Sequence, residues 1–135
     1  MAYISTAEVA AIRKELKDTF GKRFKFSVRR RDGHAVTVAI MAGDVDFSDL
    51  WSGKTEDDYG YGYVQVNQYH ATEANYGDHA KLFNKIIDII KTAPAKAEGG
   101  EAWFDKSDSM TDYFHTAFYF DVHVGAWDRA YTQRG

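Results

Sequence analysis

Residues 24–40 read FKFSVRRRDGHAVTVAI, and the fold turns on how this stretch is parsed. Phe24, Phe26 and Val28 alternate with Lys25, Ser27 and Arg29, the period of a strand with one buried face. Asp32-Gly33 comes next. A tight type I′ turn needs positive φ at both central residues, and Asp-Gly is among the pairs that tolerate it. The return strand runs through Val36, Val38 and Ile40, and Gly43 ends it. The stretch therefore predicts an antiparallel hairpin.

A helix precedes the hairpin. Ser5 and Glu8 have capping-box spacing, and Ile4 and Val9 occupy the two positions of a hydrophobic staple. Val9, Ile12, Leu16 and Phe20 form one apolar stripe, with Arg13, Lys14, Glu15, Lys17 and Asp18 around much of the rest. Gly21 stands where a helix-ending glycine belongs.

Beyond the hairpin, residues 44–62 read as irregular, with Asp44, Asp46, Asp49, Gly53, Glu56, Asp57, Asp58, Gly60 and Gly62. Val64 and Val66 mark a third strand. A second helix is expected from Asp78, with Leu82, Phe83, Ile86, Ile87 and Ile90 as its apolar face and Pro94 as its stop. Residues 95–101 read as a flexible connector. A long last strand is expected over 113–124, ended by Gly125. Phe114, Thr116, Phe118, Phe120, Val122 and Val124 share one face, and Tyr113, His115, Ala117, Tyr119, Asp121 and His123 the other. The order αβββαβ predicts one α+β domain over residues 1–135. Its sheet is expected to be mostly antiparallel and four-stranded, with two helices packed on one face. Leu16, Phe26, Val38, Ile86, Phe118 and Phe120 are expected in one core.

Composition bounds the function. A chain of 135 residues can bury a core without staples, and 44% hydrophobic content argues against disorder. The absence of cysteine excludes disulfides, thiolate zinc sites and a cysteine nucleophile. The first residues have no basic segment leading into an apolar run, and nothing approaches the roughly 18 apolar residues of a membrane span. A cytoplasmic protein with no membrane association is expected. Charge is uneven along the chain. Residues 1–43 hold nine Lys/Arg against four Asp/Glu, while residues 44–135 hold eight against sixteen. Such asymmetry either gives a basic face for nucleic acid and an acidic face for another partner, or merely decorates solvated faces with charge.

Three constellations could carry chemistry. His115, Asp121 and His123 share a strand face, but His115 lies eight residues from His123, too far to share an ion. No metal site and no cofactor is expected. Lys22, Arg23, Lys25, Arg29, Arg30 and Arg31 crowd the first strand and its turn. A basic two-stranded ribbon can enter a DNA groove, and phosphates attract Lys and Arg. Asp57, Asp58, Tyr59, Tyr61 and Tyr63 combine acids with aromatics, the chemistry of a protein-contact surface. Phosphate-binding loops of the G-x-x-x-x-G-K-[ST] and G-x-G-x-x-G kinds are absent, as is a G-x-S-x-G elbow. No catalytic residue is expected, which points away from an enzyme.

The opening Tyr3-Ile4-Ser5-Thr6-Ala7-Glu8-Val9, the helix core from Ile12 to Lys17 and the run from Lys25 to Arg29 resemble the start of the large polyvalent protein-associated domain, class twenty-nine. Residues 108–114 and 124–128 resemble the C-terminal part of small stand-alone proteins of that kind. The family often has Trp-Thr-Asp-Gly-Pro after its second strand, where this chain has Met41-Ala42-Gly43-Asp44. The resemblance implies a phage or mobile-element protein acting inside a bacterial host. The leading expectation is a non-enzymatic binding protein, such as an inhibitor of a host defence complex of the CRISPR or restriction type. Its partner would be a host protein or nucleoprotein complex met through the acidic loop. The alternative is a nucleic-acid-binding accessory domain using the basic hairpin.

Overall fold

The computed structural model describes residues 3–51, 61–68, 71–105, 116–126 and 128–134. Helix α1, Thr6–Phe20, starts at a complete capping box. The Glu8 N–H donates to Ser5 Oγ, and the Ser5 N–H donates to the Glu8 carboxylate, each at 3.0 Å. Ile4, Val9, Ile12 and Leu16 are buried, as the staple and stripe require. The helix ends at Gly21, whose N–H donates to the Lys17 carbonyl.

Strands β1 (Phe24–Arg31) and β2 (Ala35–Gly43) form the hairpin, antiparallel, with a bulge between Lys25 and Phe26. Asp32 and Gly33 both take positive φ, 53° and 79°, and the His34 N–H donates to the Arg31 carbonyl. Strand β3, Val64–Val66, is short. A helical turn, α2 (Glu73–Tyr76), and a 3-10 turn, Gly77–His79, lead into helix α3, Ala80–Thr92. Asp78 thus lies inside the 3-10 turn and does not cap α3. Pro94 enters a further 3-10 turn, Ala93–Lys96, at an early position where its missing N–H costs little.

Strand β4, Tyr119–Val124, covers the second half of the expected last strand; residues 116–118 are not strand, Thr116 making only an isolated bridge to Asp105, and residues 113–115 lie outside the described residues. Strand β5, Thr132–Gln133, closes the sheet. The strand order is β1-β2-β4-β3, with β5 joining the end of β2. β1–β2 and β3–β4 are antiparallel, whereas β2–β4 and β2–β5 are parallel.

The fold is α+β as expected, but the sheet is mixed and five-stranded, which corrects the mostly antiparallel four-stranded expectation. The physical reason lies in the long connection from Gly43 to Tyr119. A parallel return needs a crossover of a dozen or more residues, and this one contains α3. The run Ala-Val-Thr-Val-Ala-Ile-Met-Ala in β2 is nearly continuous in apolar residues, the mark of a central strand covered on both faces. Ala35, Ala39 and Ala42 are accordingly buried.

One sheet face is built in rows. Val28, Val38, Val122 and Val66 align across four strands, and Phe26, Ile40, Val124 and Val64 form the next row. Val9, Ile12 and Leu16 of α1 and Phe83, Ile86, Ile87 and Ile90 of α3 join this face in one core. The six residues expected to share a core do so, with Phe26 half-buried at its margin. A second aromatic layer was not foreseen. Phe47 stacks on Phe83 at 5.9 Å and meets Tyr131 edge-on at 5.0 Å, and the Tyr131 hydroxyl donates to the Val45 carbonyl. Phe47 and Trp51 therefore anchor the start of the irregular segment in the core.

Phe118 is 1% exposed. Phe118→Ala is expected to cost about 3–5 kcal/mol in urea unfolding. A loss under about 1 kcal/mol would contradict its place in the core.

Candidate nucleic-acid interface

A groove of about 480 Å³ runs between the C-terminal half of α1 and the edge strand β1. Its walls carry Arg13, Lys17, Lys22, Lys25 and Arg134, and its floor carries Phe24 and Phe26. Five cations converge there, and among the described residues no carboxylate lines it. Arg13 and Lys17 share a helix face because they lie four residues apart. The Arg13 guanidinium also donates to the Val28 carbonyl at 2.9 Å, which ties α1 to β1. Arg134 arrives from the far end of the chain. Its backbone N–H donates to the Gly43 carbonyl at 2.7 Å, and its guanidinium reaches the Lys22 carbonyl at 3.4 Å.

The floor is a packed aromatic group. Phe20, Phe24 and Phe26 place their ring centroids 5.5 to 5.9 Å apart. The Phe24 ring lies over Gly43, where an added Cβ would stand 2.3 Å from it. Gly43 is thus needed for the floor to form. Phe24 is buried, whereas Phe20 and Phe26 are half-buried.

The six basic residues expected as one site are divided by the fold. Lys22, Lys25 and Arg29 are exposed, and among the described residues none of them forms an ion pair. Arg23 pairs with Asp44 at 2.9 Å and lies over the Phe24 ring. Arg30 donates to the Ile4 carbonyl at 2.7 Å and lies over Tyr3. Arg31 pairs with Asp121 at 2.8 Å on the other sheet face. Only Lys22 and Lys25 of the six line the groove. Arg13, Lys17 and Arg134 are the groove cations that sequence reading did not assign to a site. The spacing of Arg13 and Lys17 was legible; the arrival of Arg134 was not.

Of the acidic, tyrosine-rich group, Asp57, Asp58 and Tyr59 lie outside the described residues. Tyr61 meets Trp51 edge-on at 5.9 Å, and Tyr63 stacks on His123 at 5.5 Å. Both tyrosines are half-buried. Asp46 accepts from the Ser48 N–H, and its bonding to Ser48 holds its carboxyl below the usual range. Asp49 pairs with His79 at 2.9 Å.

The outer sheet face carries a polar knot. Asp121 Oδ1 accepts from Thr37 at 2.9 Å and from Arg31, and Asp121 Oδ2 lies 2.6 Å from His123 Nε2. Burial pushes the Asp121 carboxyl up, but the bonds from His123 and Thr37, with the charge of Arg31, outweigh it and hold it below the usual range. His123 Nδ1 is buried without a partner. A proton there would be a donor lacking an acceptor, so the ring proton belongs on Nε2, facing Asp121. His115 lies outside the described residues, and among those described no three His, Asp or Glu side chains are grouped to hold a metal. Among the described residues no helix is long and apolar enough to cross a membrane.

Comparison with protein-family models, with curated proteins and with solved structures found no match to this chain.

Because the folded-state pKa of Asp121 is lowered, its stabilisation is present at neutral pH and is lost as pH falls through that value. Asp121→Asn is expected to cost about 1–3 kcal/mol at pH 7. The gap to the unmodified protein should narrow below about pH 4 in urea unfolding. A gap that stays constant with pH would contradict the knot's ionic character.

Proposed function

We propose that this chain is a non-enzymatic binding protein that holds nucleic acid on its basic groove. The observation that carries the reading is the convergence of Arg13, Lys17, Lys22, Lys25 and Arg134 on one concavity that no carboxylate lines among the described residues. Uncompensated cations attract phosphates and release their counterions, which supplies affinity without base reading. The negative end of the α1 dipole works against an anion here, and five full charges outweigh a partial one. Net charge is −3, which opposes unspecific adhesion of nucleic acid to the rest of the surface.

A phage or mobile-element setting inside a bacterium draws only on the sequence resemblance of residues 3–29 and 108–128 to the polyvalent protein-associated domain, which no family model matches. In that setting the groove serves either the element's own nucleic acid or that of a host nucleoprotein complex. Contact with a host protein through the acidic loop draws on sequence alone, since three of its five residues lie outside the described ones. The groove draws on geometry and therefore ranks first.

Binding of a fluorescent oligonucleotide is expected to weaken steeply with salt. Four to five phosphate contacts give a slope of log K against log salt between about −3 and −5. Lys22→Glu with Lys25→Glu should lower affinity at least tenfold, while Lys85→Glu, exposed on α3, should leave it unchanged. Failure of the unmodified protein to bind any oligonucleotide at low salt would overturn the proposal.

A further inference from the structure

The hairpin that carries the basic run does not project from the sheet. β2 pairs with β4 from Ala35↔Tyr119 through Ile40↔Val124, so the hairpin is flanked by β4 right up to its turn. A duplex major groove, about 12 Å wide, admits a helix or a free two-stranded ribbon. Here the ribbon is embedded in a wider sheet and cannot enter. Two of the three arginines next to its turn are also engaged: Arg30 bonds the Ile4 carbonyl and Arg31 pairs with Asp121. What the fold leaves open is concave. A volume of about 480 Å³ falls in the range of pockets that enclose a small ligand, roughly 300–1,000 Å³.

We propose that the groove takes single-stranded nucleic acid, with a base lodged against Phe26 and the flanking phosphates on Lys17, Lys22, Lys25 and Arg134. This rests on the nucleic-acid reading above and narrows it to one form of the polymer. The chemistry matches the two needs of such a ligand. Cations along a groove track the backbone, and an aromatic face accepts any base that has left its stack. Phe26 lines the groove, is half-buried, and is held by Phe20 and Phe24 at 5.5 and 5.9 Å, so its position is fixed before a ligand arrives. In a duplex the bases are stacked on one another, and only phosphates could reach the cations.

The test compares three labelled probes on the unmodified protein by fluorescence anisotropy. They are an oligothymidylate, a duplex of equal length, and an abasic strand with the same phosphates and no bases. The oligothymidylate should bind at least about tenfold tighter than either of the others. Phe26→Leu should remove about tenfold from oligothymidylate affinity with the salt slope unchanged. Equal or tighter duplex binding would overturn the single-strand inference and leave the nucleic-acid reading standing. Equal binding of the abasic strand would overturn the base contact. Absence of binding to all three would overturn both.

Discussion

Val28, Val38, Val122 and Val66 stand in one register row across the sheet, and the remaining structure depends on that alignment. Val38, Val122 and Val66 are fully buried, and Val28 nearly so. Because side chains alternate with a period of two, a slip of one residue in β4 would turn Val122 outward and bring Asp121 or His123 into the core. The cost of burying an ionised carboxylate there fixes the register. With β4 locked between β2 and β3, β1 becomes an edge strand, and α1 and α3 cover the inner face. The groove is the seam between that edge strand and α1.

The same register sorts the charges. Arg31 faces outward near Asp121, and Arg30 turns to the Ile4 carbonyl at the start of α1. Arg23 meets Asp44 just past the end of β2. Each of these arginines is engaged by the fold. The cations that remain on the groove have no carboxylate among its walls within the described residues, and the aromatic floor beneath them offers a low-polarity surface. Positive charge over an apolar floor favours a ligand that is both anionic and aromatic. The outer face has the opposite character, because Asp121 already collects Arg31, Thr37 and His123.

Much of the fold was legible locally. The Ser5–Glu8 box, the Asp32-Gly33 turn, the apolar stripe of α3 and the inward set Phe118, Phe120, Val122 and Val124 all follow from neighbours in sequence. The parallel pairing of β2 with β4 was not legible from strand periodicity. It depends on the long crossover, although the continuous apolar run of β2 was a usable sign of a central strand. Phe47 and Tyr131, 84 positions apart in the numbering, meet only in three dimensions. The site was half legible. Lys22 and Lys25 could be read from charge density, but charge density could not distinguish them from Arg30 and Arg31. That distinction depends on where the fold places each side chain: Arg30 turns to the start of α1 and Arg31 to Asp121 on the outer face, away from the groove. Arg134 enters through the backbone bond to Gly43, a contact no local pattern encodes.

If the basic groove, and no other face, meets the ligand, titration with an oligothymidylate will show it in the backbone amide chemical shifts followed by NMR. The largest shifts are expected on residues 13–26 and on Arg134, with little change at Thr37, Asp121 and His123. Shifts concentrated on that outer face, with the groove residues unmoved, would contradict it.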